Sequence, residues 1–255
     1  MNRLSAPEQD RRLIDNLSYL KLPEALQTYP ELAREAAQQH WSHIEFLDRL
    51  VELQANAQRT RSVERRIRLA RFPVLKTLEQ FDWNWPKEIN RIQVENLFHL
   101  EFLKTHTNVI FIAGVGLGKT HLATALGHAA CFEGHSVLFA NAIDIINTLT
   151  AAKGAATLKQ EIKRYLQPRL LVIDELGYLP IDKLGADLLF QVITQRYESG
   201  SIALTTNRLF RKWSEIFNND SMITSAVLDR LLHHAEVVTI KGKSYRAKDR
   251  IEEAA

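Results

Sequence analysis

The residues best suited to do chemistry lie between Asn108 and His121, NVIFIAGVGLGKTH. A β-branched apolar run, Val109 to Ala113, leads into Gly114, Gly116 and Gly118, then Lys119, Thr120 and the apolar-periodic HLATALGHAACF. Strand, glycine turn and helix form the context in which backbone N–H groups curl inward around phosphate oxygens, with the helix N-terminus adding partial positive charge. Ala113, Gly114, Val115, Gly116, Leu117, Gly118, Lys119, Thr120 and His121 are therefore expected to surround a nucleotide's phosphates. Lys119 would reach the β- and γ-phosphates, and the Thr120 hydroxyl would hold Mg²⁺. The spacing is that of G-x-x-x-x-G-K-[ST] with Ala113 at the first position, which leaves the tightness of the turn there open. A dinucleotide fingerprint fails because Lys119 occupies its third glycine.

An acidic pair completes the chemistry. Leu170 to Glu175, LLVIDE, is another apolar run, ending in Asp174 and Glu175. A hard cation bridging phosphates needs an anionic oxygen, which Asp174 would supply. Glu175, one residue on, points differently and suits a general base toward water. A fourth run, Ile202 to Thr205, delivers Thr206 and Asn207, and Asn207 would orient that water or touch the γ-phosphate. ATP with Mg²⁺ is the implied ligand and hydrolysis the implied reaction. A small-molecule kinase would share the loop but has no use for Glu175, Asn207 and the Arg230 segment. From spacing alone Arg230 serves either a neighbouring subunit's site or a local ion pair with Asp229 or Glu236. His233 and His234 are adjacent; on a helix they diverge by about a hundred degrees and could not share a metal.

These residues need a scaffold of parallel strands. The 255 residues, 45% hydrophobic and 25% charged, suit one large or two small domains, and the net charge of +3 permits a nucleic-acid partner without requiring one. A single cysteine, Cys131, excludes an intrachain disulfide, and the absence of a long apolar run or signal-like leader argues for a cytoplasmic protein without a membrane span. Apolar runs at 109–113, 136–141, 170–175, 202–205 and 237–240 alternate with helical stretches at 143–153, 157–166 and 184–199, and with others around Trp213 and over 223–233. A helix over 89–105 precedes them. This is the pattern of an α/β fold with a five-stranded parallel sheet covered on both faces. Ahead of it, residues 1–71 read as a small all-helical N-terminal domain: helices over 9–20 and 30–39, then one opened by the capping box at Ser42–Glu45, with Ile44, Leu47, Leu50 and Val51 on one face. Six arginines between Arg59 and Arg71 form either a solvated face or a phosphate-backbone or partner contact. Residues 72–88 read as a linker into the 72–255 domain, with Phe81, Trp83 and Trp85 packing between domains or, without support from spacing, one of them lying near an adenine ring. Fifteen residues after Ile240 leave no room for a C-terminal helical lid.

The stretches GVGLGKTHLATALG, LLVIDELGYLP, TTNR and LDRLLHHAEVVTIKGKSYR resemble the IstB-like AAA+ ATPases, helpers of insertion-sequence transposases, and their relatives the DnaC helicase loaders. The likeness runs from about Phe72 to Arg246. It implies a P-loop AAA+ domain with Lys119 and Thr120 as first nucleotide motif, Asp174 and Glu175 as second, Asn207 as first sensor, Arg230 as arginine finger and Arg246 as second-sensor arginine. It further implies a homo-oligomer with nucleotide sites between subunits, assembled on duplex DNA through Lys153, Lys159, Lys163 and Arg164, with the N-terminal domain meeting a cognate transposase. A DnaC-type loader of a replicative helicase is the alternative.

Overall fold

The computed structural model describes residues 6–247, which divide into two compact units between Arg65 and Arg66. In the first unit, α1 (Ala6–Tyr19) and α2 (Pro23–Gln38) precede α3, which begins at His43 and runs to Ala70. The expected helix start at Pro30 is wrong. Pro23 occupies the first turn of α2, where a missing N–H matters little, and Pro30 lies inside the helix. No side chain of α2 itself caps its N-terminus. Instead the buried Gln54 of α3 accepts from the Glu24 and Ala25 amides at 3.0 and 3.2 Å. The Ser42 cap is present, its Oγ accepting from Glu45 N–H at 3.1 Å. The apolar face beyond it does not find a core: Ile44, Leu47 and Val51 are exposed.

The second unit is a sheet of five parallel strands in the order β2-β3-β4-β1-β5. These are β1 (Asn108–Ala113), β2 (Val137–Asn141), β3 (Leu170–Leu176), β4 (Ser201–Thr206) and β5 (Ala235–Ile240). Their period of two divides the core. Val109, Phe111 and Val172 face a cluster with α6 (Lys119–Phe132), whereas Ile110, Ile112, Leu171 and Ile173 face one with α7 (Ala142–Gly154), α8 (Leu158–Leu166), α9 (Lys183–Arg196) and α10 (Ser221–Leu232). Strands buried on both faces account for the nearly unbroken apolar runs.

The helix expected over 89–105 is two, α4 (Arg91–Leu97) and α5 (Glu101–Lys104), broken where Leu100 takes a left-handed φ of 60°. The expected linker is not a spacer. Phe81 is buried in the second unit's core, and Glu88 pairs with Lys241 beyond β5 through two backbone hydrogen bonds and a 2.6 Å ion pair. After β5 the described residues add only a 3-10 turn, Tyr245–Ala247. No helix among the described residues is long and apolar enough to cross a membrane.

Candidate nucleotide-binding site

Parallel strands deliver their loops to one edge, and the order of this sheet decides which loops meet there. Strand β4 lies between β1 and β3, so the ends of all three converge. Lys119, Thr120, Glu175, Asn207 and Arg246 line one cleft of about 680 Å³, with Asp174 buried beneath.

The loop turns at Gly116 and Gly118, whose φ values of 75° and 86° disfavour any side chain. A methyl on Gly118 would also lie 2.6 Å from the Phe81 ring. Ala113 raises no such difficulty. It is the last residue of β1, paired with Ile240 and packed in the core, so its methyl lies outside the turn; neither it nor Gly114 lines the cleft. The Lys119 ammonium donates to the Gly114 carbonyl at 2.7 Å, folded back over its own loop. Burial pulls its pKa below the usual range, Asp174 and Glu175 oppose that pull, and Arg246 adds to it.

Asp174 is the hub of the site. Thr120 Oγ1 donates to its two carboxylate oxygens at 2.9 and 3.1 Å, and Thr205 Oγ1 to Oδ1 at 2.5 Å. Burial raises the Asp174 pKa, and the two hydroxyls partly pull it back. One carboxylate and one threonine hydroxyl, both hard oxygen donors beside the lysine, fit Mg²⁺ bridging phosphates.

Glu175 is set apart by a break in the β3–β4 register between Ile173 and Leu176, where it takes a φ of 59° and turns outward, exposed. Two residues that the motif reading passed over hold it there. Thr205, fully buried, accepts from the Glu175 amide at 2.9 Å, and Asn141 Nδ2 donates to Glu175 Oε2 at 2.9 Å. Their signal was a polar residue at the end of an apolar strand: Asn141 closes SVLFAN and lies opposite Asp174 in the register. Thr206, singled out with Asn207, instead shapes the turn by accepting from Arg208 N–H at 3.1 Å.

The aromatic segment reaches the same cleft. Phe81 packs edge-on against Trp83 and His121, and Trp85 against Tyr245, while Trp85 Nε1 donates to the Lys243 carbonyl at 2.9 Å. His121 is occupied as a brace, its Nε2 donating to the Thr77 carbonyl at 2.8 Å, and burial lowers its pKa. Tyr245 N–H donates to the Gly116 carbonyl at 2.8 Å, tying the SYR segment to the phosphate loop.

A family model described as "IstB-like ATP binding protein" matches residues 15–253. This chain belongs to the IstB-like ATP-binding family. It is 40% identical over 234 residues to the "Insertion sequence IS21 putative ATP-binding protein" of Pseudomonas aeruginosa, covering 92% of this chain and 88% of that one. The corresponding IS232 protein of Bacillus thuringiensis subsp. berliner is 38% identical over 239 residues, covering 94% and 95%. A crystal structure of the DnaC helicase loader shares the fold with a TM-score of 0.53 at 22% identity, over 65% of this chain and 96% of that one. The IstB-like chain is thus an ATP-binding protein with the AAA+ P-loop fold.

Not every residue singled out from the IstB-like pattern lies in its cleft. Arg230 is at the other end of the sheet, in the wall of a small cavity with Asn108 and Ile202; its Nη1 donates to the Ala226 carbonyl at 2.9 Å and its guanidinium lies over Phe190. Neither Asp229 nor Glu236 makes an ion pair with it among the described residues. Lys153, Lys159 and Lys163 are exposed on α7 and α8, whereas Arg164 is paired with Glu161 at 3.5 Å. Of the arginine-rich stretch, Arg66 donates to the Cys131 carbonyl at 3.2 Å, a structural contact.

Proposed function

We propose that this protein is an ATP-hydrolysing transposition helper that oligomerises on duplex DNA and recruits or stimulates a transposase. The convergence of Lys119, Thr120, Glu175 and Asn207 on one cleft above Asp174 carries the ATPase part. The relatives named for insertion sequences carry the context.

In this reading the chain's groups divide the work. The loop amides and Lys119 receive the triphosphate, Lys119 leaving the Gly114 carbonyl to do so. Thr120 and Asp174 would hold Mg²⁺, which would supply neutralisation of phosphate charge. Glu175, released from the Asn141 amide, accepts a proton from the attacking water, which Asn207 orients. Arg230 lies away from its own cleft, and that position favours a trans role: it would neutralise charge on the phosphoryl group bound by the adjoining subunit. Exposed Lys153, Lys159 and Lys163 would contact the DNA backbone, giving affinity without sequence preference.

ATP turnover measured alone, with duplex DNA and with single-stranded DNA tests the proposal. Stimulation by duplex is expected, together with ATP-dependent assembly on DNA that Lys119→Ala abolishes. Stimulation by single strands alone would move the protein to the loader class, and normal assembly by Lys119→Ala would overturn the site.

A further inference from the structure

At the opposite edge of the sheet from the nucleotide cleft, the chain builds a second cluster of ligand-forming side chains. Glu198, in the turn between α9 and β4, and His233 and His234, between α10 and β5, each present one ligand atom within 4.8 Å of the other two. The helical spacing argument against a shared metal does not hold. Helix α10 ends at Leu232, and the chain leaves the helix where the His234 carbonyl accepts from Asn108 N–H at 2.8 Å. The two imidazoles therefore come together, their ring centroids 4.2 Å apart.

We infer that Glu198, His233 and His234 form a binding site for a borderline divalent metal ion, Zn²⁺ by preference, with three protein ligands and an open fourth position. Two imidazoles and one carboxylate suit Zn²⁺ and exclude a Mg²⁺ or Ca²⁺ cage, which takes oxygen ligands. A tetrahedral zinc with bonds of about 2.0–2.2 Å spaces its ligand atoms roughly 3.4 Å apart, so the exposed side chains need close by no more than about 1.4 Å. The Tyr197 hydroxyl lies 2.8 Å from His233 Nδ1, so that ring would bind through Nε2, with Tyr197 as the outer partner that orients it. Glu198 and His234 also border a cavity of about 10 Å³, the room of about one water, which would serve as fourth ligand. His106 lines the same cavity, with its buried Nδ1 lacking a hydrogen-bond partner among the described residues.

The site stands within one helical turn of Arg230, which shares the cavity wall. Occupancy would fix the end of the helix that carries this guanidinium. That consequence rests on the trans-arginine reading; the binding of the ion does not.

The full chain, tag-free and stripped of metal, is titrated with Co²⁺ as the spectroscopic stand-in and then back-titrated with Zn²⁺. One equivalent of Co²⁺ should produce the visible bands of four-coordinate cobalt, displaced by Zn²⁺. His234→Ala and Glu198→Gln should each weaken binding at least tenfold, and Tyr197→Phe about tenfold. Glu198→Gln preserves size at an exposed position and keeps the test decisive should a histidine variant unfold. No cobalt bands, or bands unchanged by Glu198→Gln and His234→Ala, would overturn the site, whatever the ATPase assay shows.

Discussion

Thr205→Val removes one hydroxyl and leaves the side-chain shape nearly intact, which makes it a sharp test of how the acidic pair is held. Thr205 is fully buried and its Oγ1 does two things at once, donating to Asp174 and accepting from the Glu175 amide. Losing a hydrogen bond to a charged group is worth about 1.5–3 kcal/mol, and an unsatisfied buried amide about 1–3 kcal/mol. Because the hydrogen bond from the Glu175 amide is only partly buried, the expected loss at neutral pH is near the low end of that sum, about 3 kcal/mol. The pH dependence has a definite sign. Burial already holds Asp174 above the usual carboxylate range, and the Thr205 hydroxyl works against that rise. The folded state therefore binds more protons than the unfolded chain between the unfolded and folded pKa values, and stability falls as pH increases through that window. Thr205→Val lets the folded pKa rise further and extends the window upward. Its destabilisation should thus be largest at neutral pH and smaller below the unfolded Asp pKa of about 3.9, where the carboxyl is protonated in both states. Urea denaturation at several pH values, paired with ATP hydrolysis, reads both effects. Thr205→Ser restores the hydroxyl and should recover most of the loss. A valine variant as stable and active as the parent, or a serine variant as impaired as valine, would refute the argument.

Glu175→Gln should retain ATP binding while hydrolysis falls about 10²–10⁴-fold, the range for loss of a general base, checked by filter binding and phosphate release. Arg230→Ala should leave ATP affinity of the free chain unchanged and lower turnover in the DNA-bound oligomer by about 10³-fold or more, and normal turnover there would end the trans-arginine role. Phe81→Ala should cost about 3–5 kcal/mol in denaturant melts and weaken nucleotide binding by loosening the loop at Gly118, against which its ring packs.

The local pattern of this sequence determined the strands, the phosphate loop and the acidic pair, because each depends on neighbours in the chain. An apolar run gives a two-face-buried strand, glycines give positive φ, and a polar residue at a strand's end reaches the loop edge. Tertiary structure decided what depends on which strands lie side by side. Inserting β4 between β1 and β3 is what brings Thr205 under Asp174 and Glu175, and pairing β2 with β3 is what gives Glu175 its Asn141 partner. Neither contact leaves a trace in spacing, since the partners are 31 and 34 residues apart. The aromatic segment is irregular by local pattern; the packing of Phe81 on His121, the contacts of Trp85 with Lys243 and Tyr245, and the pairing of Glu88 with Lys241 place it at the cleft, and none of these is visible in local spacing. His233 and His234 make the point from the other side. Helical phase separates adjacent side chains only while the helix lasts, and the end of α10 was fixed by the β5 strand it had to join.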